Sequence, residues 1–210
     1  MTKVPELYAK YFIEKNDERL KLFQILVNTY DIKKGLYPGS FVHVTPSLVI
    51  PDMVYIDSDK RCKKFFESEI TRNYIEKKKQ YSEPVKYLFY EADFTGDLRN
   101  LQPGSDLLIS LYAGFISQFC GKYLKKDGIL VANNSHGDAA LAYLNPDYEL
   151  IAVINRNGER FSSSNKNLES YFIPKSGAPI NKEDVIKKMR GPAYTKSAYA
   201  YVFKKLNRWH

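Results

Sequence analysis

Short apolar runs alternate with amphipathic or polar segments along most of this chain. Between Glu6 and Thr29, Leu, Tyr, Phe, Ile and Val recur at roughly helical spacing among charged residues, which predicts one or two amphipathic helices. After Thr29, five short apolar runs are typical of strands buried on both faces. Their alternation with helix-like segments predicts a parallel sheet built by right-handed crossovers. The five runs are Leu36 to Gly39, Val54 to Asp57, Val85 to Asp93, Asp106 to Leu111 and Gly128 to Asn133.

The pattern changes after Asn145-Pro146-Asp147. Strands rich in Tyr, Phe, Ile and Val are predicted at Tyr148 to Asn155, Leu168 to Ile173 and Ala198 to Lys205. Because long helices do not separate them, these strands predict an antiparallel addition to the sheet. Asn157-Gly158 is a turn signal, Ser162 to Asn167 is interpreted as a surface loop, and Lys182 to Met189 as a short helix capped by Asn181.

The length of 210 residues suits one domain with one sizeable core. The chain contains no run of about 18 apolar residues, and its first residues do not resemble a signal peptide, so we expect a cytoplasmic protein. Cys62 and Cys120 are isolated and no histidines cluster, so neither a disulfide framework nor a metal site is predicted.

The net charge of +8 is unevenly distributed. Basic residues concentrate in two segments, and such patches attract polyanions, so nucleic acid is one candidate partner. The alternative is that these residues serve solubility on exposed helices. The two groups are Lys60, Arg61, Lys63, Lys64, Arg72, Lys77, Lys78 and Lys79, and Lys182, Lys187, Lys188, Arg190, Lys196, Lys204, Lys205 and Arg208.

The segment Gly35-Leu36-Tyr37-Pro38-Gly39-Ser40, with Asp57 closing the next apolar run, carries the first candidate chemistry. The pattern predicts a strand, a tight turn, a helix and a second strand that ends in a carboxylate. A carboxylate at that position can accept hydrogen bonds from the ribose hydroxyls of a bound nucleoside. The alternative role for Asp57 is to cap the helix that begins near Ser58 or Asp59.

Two further strand ends carry candidate ligand contacts. Asp93 could accept a hydrogen bond from the amine of a purine while Phe94 packs against the base, or it could shape the next turn together with Thr95. The run that ends at Ser110 and Leu111 opens into a loop of small residues with one polar aromatic residue, Tyr112. Ligands of open α/β sheets bind beyond the carboxyl ends of strands, which is where these residues are expected.

Taken in order, these pieces resemble the class I S-adenosylmethionine-dependent methyltransferase superfamily, from about Gly35 to Asn155. A helix, turn and strand from Tyr123 to Val131 complete the resemblance. It implies a Rossmann-like α/β fold: a mostly parallel seven-stranded sheet with helices on both faces, an antiparallel C-terminal edge and an N-terminal helical extension. A single methyltransferase-like domain is expected over 1–210, with the extension at 1–30, the cofactor-binding core at 35–155 and a β-rich part at 156–210.

The resemblance also implies S-adenosylmethionine as cofactor and methyl transfer to an unidentified acceptor. The cofactor would lie across the strand ends, with its methionine near the first turn, its ribose at Asp57 and its adenine near Asp93. The implied cofactor-binding residues are Tyr37, Pro38, Gly39, Ser40, Asp57, Ser58, Asp93, Phe94, Ser110 and Leu111.

His136 and Tyr112 are candidate proton acceptors for the acceptor group, because both follow predicted strand ends. His136 could equally be a helix-entry residue, and His43 is ambiguous beside the first turn. His210 is terminal and is expected to be disordered.

The first turn departs from the superfamily pattern, since Phe41 and His43 stand where glycines are usual. A residue with a β carbon costs roughly 1 to 2 kcal/mol where the backbone needs positive φ. Phe41 and His43 favour an alternative function, a catalytically inactive methyltransferase-like protein that uses its basic patches to bind nucleic acid or a protein partner. The chain also lacks the Asn/Asp-Pro-Pro-aromatic motif of many amino-methylating nucleic-acid enzymes, which argues against a DNA adenine or cytosine-N4 methyltransferase.

Overall fold

The computed structural model describes residues 3–206, so Arg208 and His210 lie outside the described residues. The chain forms two compact units, Met1–Arg99 and Asn100–His210. No helix within 3–206 is long and apolar enough to cross a membrane. The predicted subdivision of one domain into an extension, a core and a β-rich part stays a prediction.

The first unit contains three parallel strands in the order β3-β2-β1. Pro38 lies opposite Ile56, and Asp57 lies opposite Glu91, so the carboxyl ends of the three strands are level. The strands are β1 (Lys34–Pro38), β2 (Asp52–Asp57) and β3 (Lys86–Glu91), and the helices are α1 (Glu6–Tyr8), which continues as a π-helical turn over Ala9–Ile13, α2 (Leu20–Thr29), α3 (Lys60–Phe66) and α4 (Glu69–Lys78).

The helix predicted after the first turn is wrong. Between β1 and β2 the chain forms only a 3₁₀ turn, Thr45–Leu48, whose residues are all buried. The N-terminal extension packs against this connection: the hydroxyls of Tyr8 and Thr45 are 2.7 Å apart, and the ring of Phe12 stacks on His43 at 4.3 Å. The extension therefore supplies the apolar cover that a crossover helix would otherwise provide.

The second unit contains five strands in the order β4-β5-β8-β6-β7. β4 and β5 are parallel, whereas β8 is antiparallel to both β5 and β6. The strands are β4 (Ser105–Ser110), β5 (Leu124–Ala132), β6 (Tyr148–Asn157), β7 (Arg160–Ser164) and β8 (Ala200–Lys205), and the helices are α5 (Ile116–Cys120), α6 (Asp138–Leu144), α7 (Lys182–Lys188) and 3₁₀ turns at Gly121–Tyr123 and Leu168–Phe172.

The predicted fold class is confirmed. Parallel pairing joins β1, β2 and β3 in the first unit and β4 and β5 in the second, β7 is an antiparallel edge strand, and helices flank the strands of both units. Residues 3–206 form eight strands where seven were expected, and one of them, β7, arises where part of the predicted surface loop pairs with β6 across the predicted Asn157-Gly158 turn.

The strand predicted at Leu168 to Ile173 is wrong, since Leu168–Phe172 is a 3₁₀ turn. Its adjacent residues Tyr171 and Phe172 are both buried, whereas consecutive residues of a strand point to opposite faces. Phe172 stacks on Tyr143 at a ring distance of 4.0 Å and contacts Tyr201 at 4.9 Å. The aromatic composition of this segment therefore reflects docking onto the core of its unit.

Candidate functional site

The turn after β1 folds over the end of β2. Gly39 has a positive φ of 63°, and its backbone N–H donates to the carbonyl of Ile56 at 2.7 Å. Phe41 is also in the left-handed region, with φ 46°, and its N–H donates to Oδ2 of Asp57 at 2.7 Å. Ser40 lies between them and is buried. A phenylalanine thus adopts the left-handed conformation that favours glycine, and Asp57 accepts a hydrogen bond from its N–H.

Asp57 is half-buried, and each of its carboxylate oxygens accepts one backbone hydrogen bond. Oδ2 accepts from Phe41, and Oδ1 accepts from the N–H of Asp59 at 2.8 Å. A carboxylate offers about four acceptor positions, so about two remain for a ligand. Ser58, the next residue, is exposed. The end of β2 can therefore accept hydrogen bonds from a pair of neighbouring hydroxyl groups.

The side chain of Phe41 lies against Tyr11 and Arg61. Its ring meets the edge of Tyr11 at 5.0 Å, and the Arg61 guanidinium lies 4.7 Å from its centre. Arg61 also bonds Asp59, which caps α3, at 2.6 Å, and these bonds lower the pKa of Asp59 to about 2. The Phe41 ring is therefore held by a defined cluster of N-terminal and α3 side chains.

His43 is a core residue. It is fully buried, and its Nε2 lies 2.9 Å from the carbonyl of Glu18, so Nε2 carries the proton. Nδ1 then accepts a bond of 3.1 Å from the hydroxyl of Tyr37. Burial, followed by the nearby Arg19 cation, lowers the pKa of His43 well below its usual range. The side chains of His43 and Tyr37 are thus buried and bonded within the core. Only the backbone of Tyr37 could contact a ligand.

The end of β3 joins that of β2 through the N–H of Ala92, which donates to the carbonyl of Asp57 at 3.1 Å. Asp93 is exposed, and its Oδ1 accepts from both the N–H and the hydroxyl of Thr95 at 2.8 Å, which lowers the pKa of Asp93. Its Oδ2 has no donor among the described residues. Asp93 therefore shapes the turn and keeps one oxygen for a ligand, beside the half-buried Phe94.

In the second unit the ends of β4 and β5 bring Tyr112 and His136 into one hydrogen-bonded group. Oδ1 of the buried Asn133 accepts from the Ser135 hydroxyl at 2.8 Å and from the Tyr112 N–H at 3.4 Å. The same Ser135 hydroxyl lies 3.1 Å from Nδ1 of His136. Tyr112 has φ 65° and is 48% exposed, whereas Leu111 before it is buried. Strain at an exposed aromatic is typical of functional loops.

The sequence interpretation missed Asp138, the first residue of α6. It is 1% exposed, and it accepts hydrogen bonds from the Ser110 hydroxyl at 2.5 Å and from the Ser117 hydroxyl and N–H at 2.5 and 2.9 Å. Burial raises the pKa of Asp138. The residue fastens both ends of the Tyr112 loop to α6. The signal was an acid directly after a glycine at a helix start, which the neighbouring His136 overshadowed.

Other chemistry is not indicated within residues 3–206. No group of three or more His, Cys, Asp and Glu side chains there could hold a metal ion. Cys62 and Cys120 are buried free thiols, and burial raises the pKa of each to about 12. Neither thiol is ionised at neutral pH.

Comparison with known proteins identifies the fold. No family model matches the chain, and no curated protein sequence matches it. A putative O-methyltransferase from Klebsiella pneumoniae superimposes with a TM-score of 0.51 at 9% identity, over 90% of this chain and 80% of that one. An S-adenosylmethionine-dependent O-methyltransferase from Thermotoga maritima gives a TM-score of 0.50 at 11% identity, over 90% of this chain and 66% of that one. The chain therefore has the Rossmann-like fold of S-adenosylmethionine-dependent methyltransferases, as its motifs predicted.

Proposed function

We propose that this chain binds S-adenosylmethionine and transfers its methyl group to an acceptor. The observation that carries the proposal is Asp57, a carboxylate at the end of β2 that holds the β1 turn with one backbone bond and keeps acceptor positions open. The fold supports the same assignment, because cofactors in open α/β sheets bind beyond the carboxyl ends of the strands.

The residues present fit the nucleoside half of the cofactor. Asp57 and the exposed Ser58 would hold the ribose hydroxyls, and Oδ2 of Asp93 would accept from the adenine amine beside Phe94. The backbone of Pro38, Gly39 and Ser40 would approach the methionine half, where Gly39 leaves room. Ser110 and Leu111 stay predictions as cofactor contacts, because the Ser110 hydroxyl is bonded to Asp138 and Leu111 is buried.

S-adenosylmethionine, when bound, supplies a methyl group that its sulfonium already makes electrophilic. The chain then needs to align the acceptor and exclude water. His136 or Tyr112 would take the proton from an acceptor hydroxyl or amine, since both lie in the group organised by Asn133 and Ser135. Asp138 would position the loop that carries Tyr112.

The first turn supports a second candidate, an inactive binding protein of the same fold. Phe41 and His43 replace glycines, and the connection to β2 has a 3₁₀ turn in place of a helix. Nucleic acid would be its partner through the basic residues of α3 and α4. Several of those cations already have carboxylate partners, as Arg61 has Asp59, Lys63 has Glu91 and Lys79 has Glu76, which weakens this candidate.

Calorimetric titration of the full chain separates the candidates. We expect S-adenosylmethionine to release heat with saturable 1:1 binding, and adenosine to bind more weakly through the same ribose contacts. Circular dichroism of the same sample would verify that the protein is folded. Absence of heat up to about 1 mM cofactor, an affinity too weak for a working site, would overturn the proposed function.

The inactive candidate is tested with single-stranded RNA and duplex DNA at several salt concentrations. Binding through basic patches falls steeply as salt rises, since it depends on counterion release. Tight, salt-dependent binding together with no cofactor heat would establish the second candidate. Binding of neither polyanion would assign the basic residues to solvated surface.

A further inference from the structure

Two adjoining clefts in the second unit lie beside the turn that carries His136. One, of about 750 Å³, has mixed polar and apolar walls and is lined by Asn134, Ser135 and the segment 190–193. The other, of about 600 Å³, has walls that are mainly apolar and also includes Asp184, Lys188 and Arg190. Arg190, Gly191 and Pro192 line both clefts, so the two form one continuous surface. The apolar walls come from Pro174, Ala178, Pro179, Ile180, Val185 and Pro192.

Close backbone packing fixes this surface against the β5–α6 turn. A β carbon at Gly191 would lie 1.9 Å from Oδ1 of Asn134, and one at Gly137 would lie 2.9 Å from the nitrogen of Gly191. Only glycine allows these approaches. Nδ2 of Asn134 also donates to the carbonyl of Pro192 at 3.3 Å. The segment after α7 is therefore held in register with the turn that carries His136.

The other side of the segment is fixed as well. The N–H of Lys175 donates to the carbonyl of Ala193 at 2.8 Å, and the N–H of Thr195 donates to that of Ile173 at 2.9 Å. Val185 of α7 packs with Leu141 of α6 in a buried cluster. The clefts are thus formed by backbone that is bonded on both sides, which is the preorganisation that a binding site needs.

Of the two cations that line the clefts, Lys188 has a carboxylate partner, whereas Arg190 is positioned to bind an anionic ligand. Asp184 and Lys188 form an ion pair at 3.1 Å, one turn apart on α7. The Arg190 side chain is exposed and has no carboxylate partner within residues 3–206, while its backbone N–H closes α7 on the carbonyl of Val185 at 3.4 Å. A guanidinium presents a fork of donors that matches carboxylate and phosphate oxygens.

We propose that Arg190 is the anion anchor of an acceptor-binding site formed by these clefts. The substrate class is a small molecule with an apolar body, which lies between Ile180, Val185 and Pro192, and an anionic group that Arg190 binds. This inference rests on the proposed methyl transfer for its role, because it places the acceptor beside the Ser135 and His136 turn. The anion preference itself needs no cofactor.

Matched pairs of probes test the proposal on the full chain. Benzoate, 2-naphthoate and octanoate would each be titrated against its primary amide, with binding followed by backbone amide chemical shifts in NMR spectra. We expect at least one carboxylate to bind about tenfold more tightly than its amide, with the shifts centred on residues 134–135 and 190–193. Arg190→Gln should abolish the preference, and Arg190→Lys should retain part of it.

Lys187→Gln is the matched control, because it removes a cation of α7 that lines neither cleft. It should leave the preference unchanged. Equal binding of all acids and amides, no binding of any probe, or a preference that persists in Arg190→Gln would each overturn the proposal. S-adenosylmethionine affinity in Arg190→Gln should equal that of the wild type. If no cofactor binds while the acid preference is present, the methyl-transfer role fails and the anion site stands.

Discussion

Each unit has an aspartate near the carboxyl ends of its parallel strands, but the two residues have different surroundings: Asp57 ends β2, whereas Asp138 begins α6 and bonds Ser110 at the end of β4. Asp57 in the first unit is half-buried, and each of its oxygens accepts one backbone N–H. Asp138 in the second unit is 1% exposed and accepts three hydrogen bonds from Ser110 and Ser117. Asp57 therefore keeps acceptor positions for a ligand, whereas those of Asp138 are used by hydrogen bonds within the protein.

The difference shows how a binding acid is distinguished from a structural one in this fold. Exposure decides whether a ligand can reach the carboxylate, and the number of internal donors decides what remains for it. Asp57 satisfies both conditions. Asp138 satisfies neither, and its hydrogen bonds hold the loop from Ser110 to Ser117 against α6.

The largest effect is expected from Asp138→Ala. The change leaves the Ser117 N–H and the two serine hydroxyls without their buried acceptor, and we expect the free energy of unfolding to fall by about 3 kcal/mol. Urea denaturation measures this loss. Asp184→Ala, which removes an exposed acid from α7, should cost less than about 0.5 kcal/mol. A loss below about 1 kcal/mol in Asp138→Ala would contradict the structural role.

Asp57→Ala should affect ligand binding instead. Removing the acceptor for the ribose hydroxyls should weaken S-adenosylmethionine binding by about 1 to 3 kcal/mol, measured by calorimetry. Asp52→Ala is the control, because Asp52 is the first residue of β2 and Asp57 is the last, so the control removes a carboxylate from the other end of the same strand. Unchanged cofactor affinity in Asp57→Ala would show that the ribose is assigned to the wrong residue.

His43 extends the comparison to pH. Its pKa in the folded state lies below its ordinary value of about 6.5, so the unfolded state binds the extra proton. The stability contribution is complete above about pH 6.5 and is lost as the pH falls, at about 1.4 kcal/mol per pH unit until the folded pKa is reached. His43→Gln lacks this titration, so urea curves from pH 7.5 to 5 should show a shallower decline than in the wild type.

Parallel curves for the wild type and His43→Gln would mean that folding does not lower the pKa of His43. Its assignment as a neutral core residue would then be wrong.

Most of the fold was predictable because strands buried on both faces leave continuous apolar runs. All five runs of the parallel part correspond to β1 to β5. The errors fall where tertiary packing overrides local pattern. Leu168–Phe172 has strand-like composition but forms a 3₁₀ turn that buries Phe172. The first crossover has a 3₁₀ turn in place of the predicted helix, and Tyr8 of the N-terminal extension packs against that turn.

The candidate site was predictable only in part. The position of Asp57 follows from the strand pattern, since a carboxylate at a strand end needs no tertiary information. Asp138 and Arg190 gave no such signal, because their roles depend on partners distant in sequence, Ser110 for the first and the Asn134 turn for the second. Burial and the absence of a carboxylate partner within residues 3–206 are properties that a sequence pattern does not carry.

Phe41→Gly should have the smallest effect. Glycine relieves the left-handed strain by roughly 1 kcal/mol, while the loss of contacts with Tyr11 and Arg61 costs about as much, so the free energy of unfolding should change by less than about 1 kcal/mol. The backbone N–H that bonds Asp57 remains in the variant. Because the ring lies against Tyr11 and Arg61, cofactor affinity should stay within about twofold of the wild type.

Phe41→Leu is the control, because it keeps the strained β carbon but removes the aromatic ring. Comparing the two variants separates the stability gained by relieving the backbone from the stability lost with the ring contacts. A gain of about tenfold in Phe41→Gly alone would mean that the missing glycine, rather than the aromatic cluster, limits binding at the first strand end.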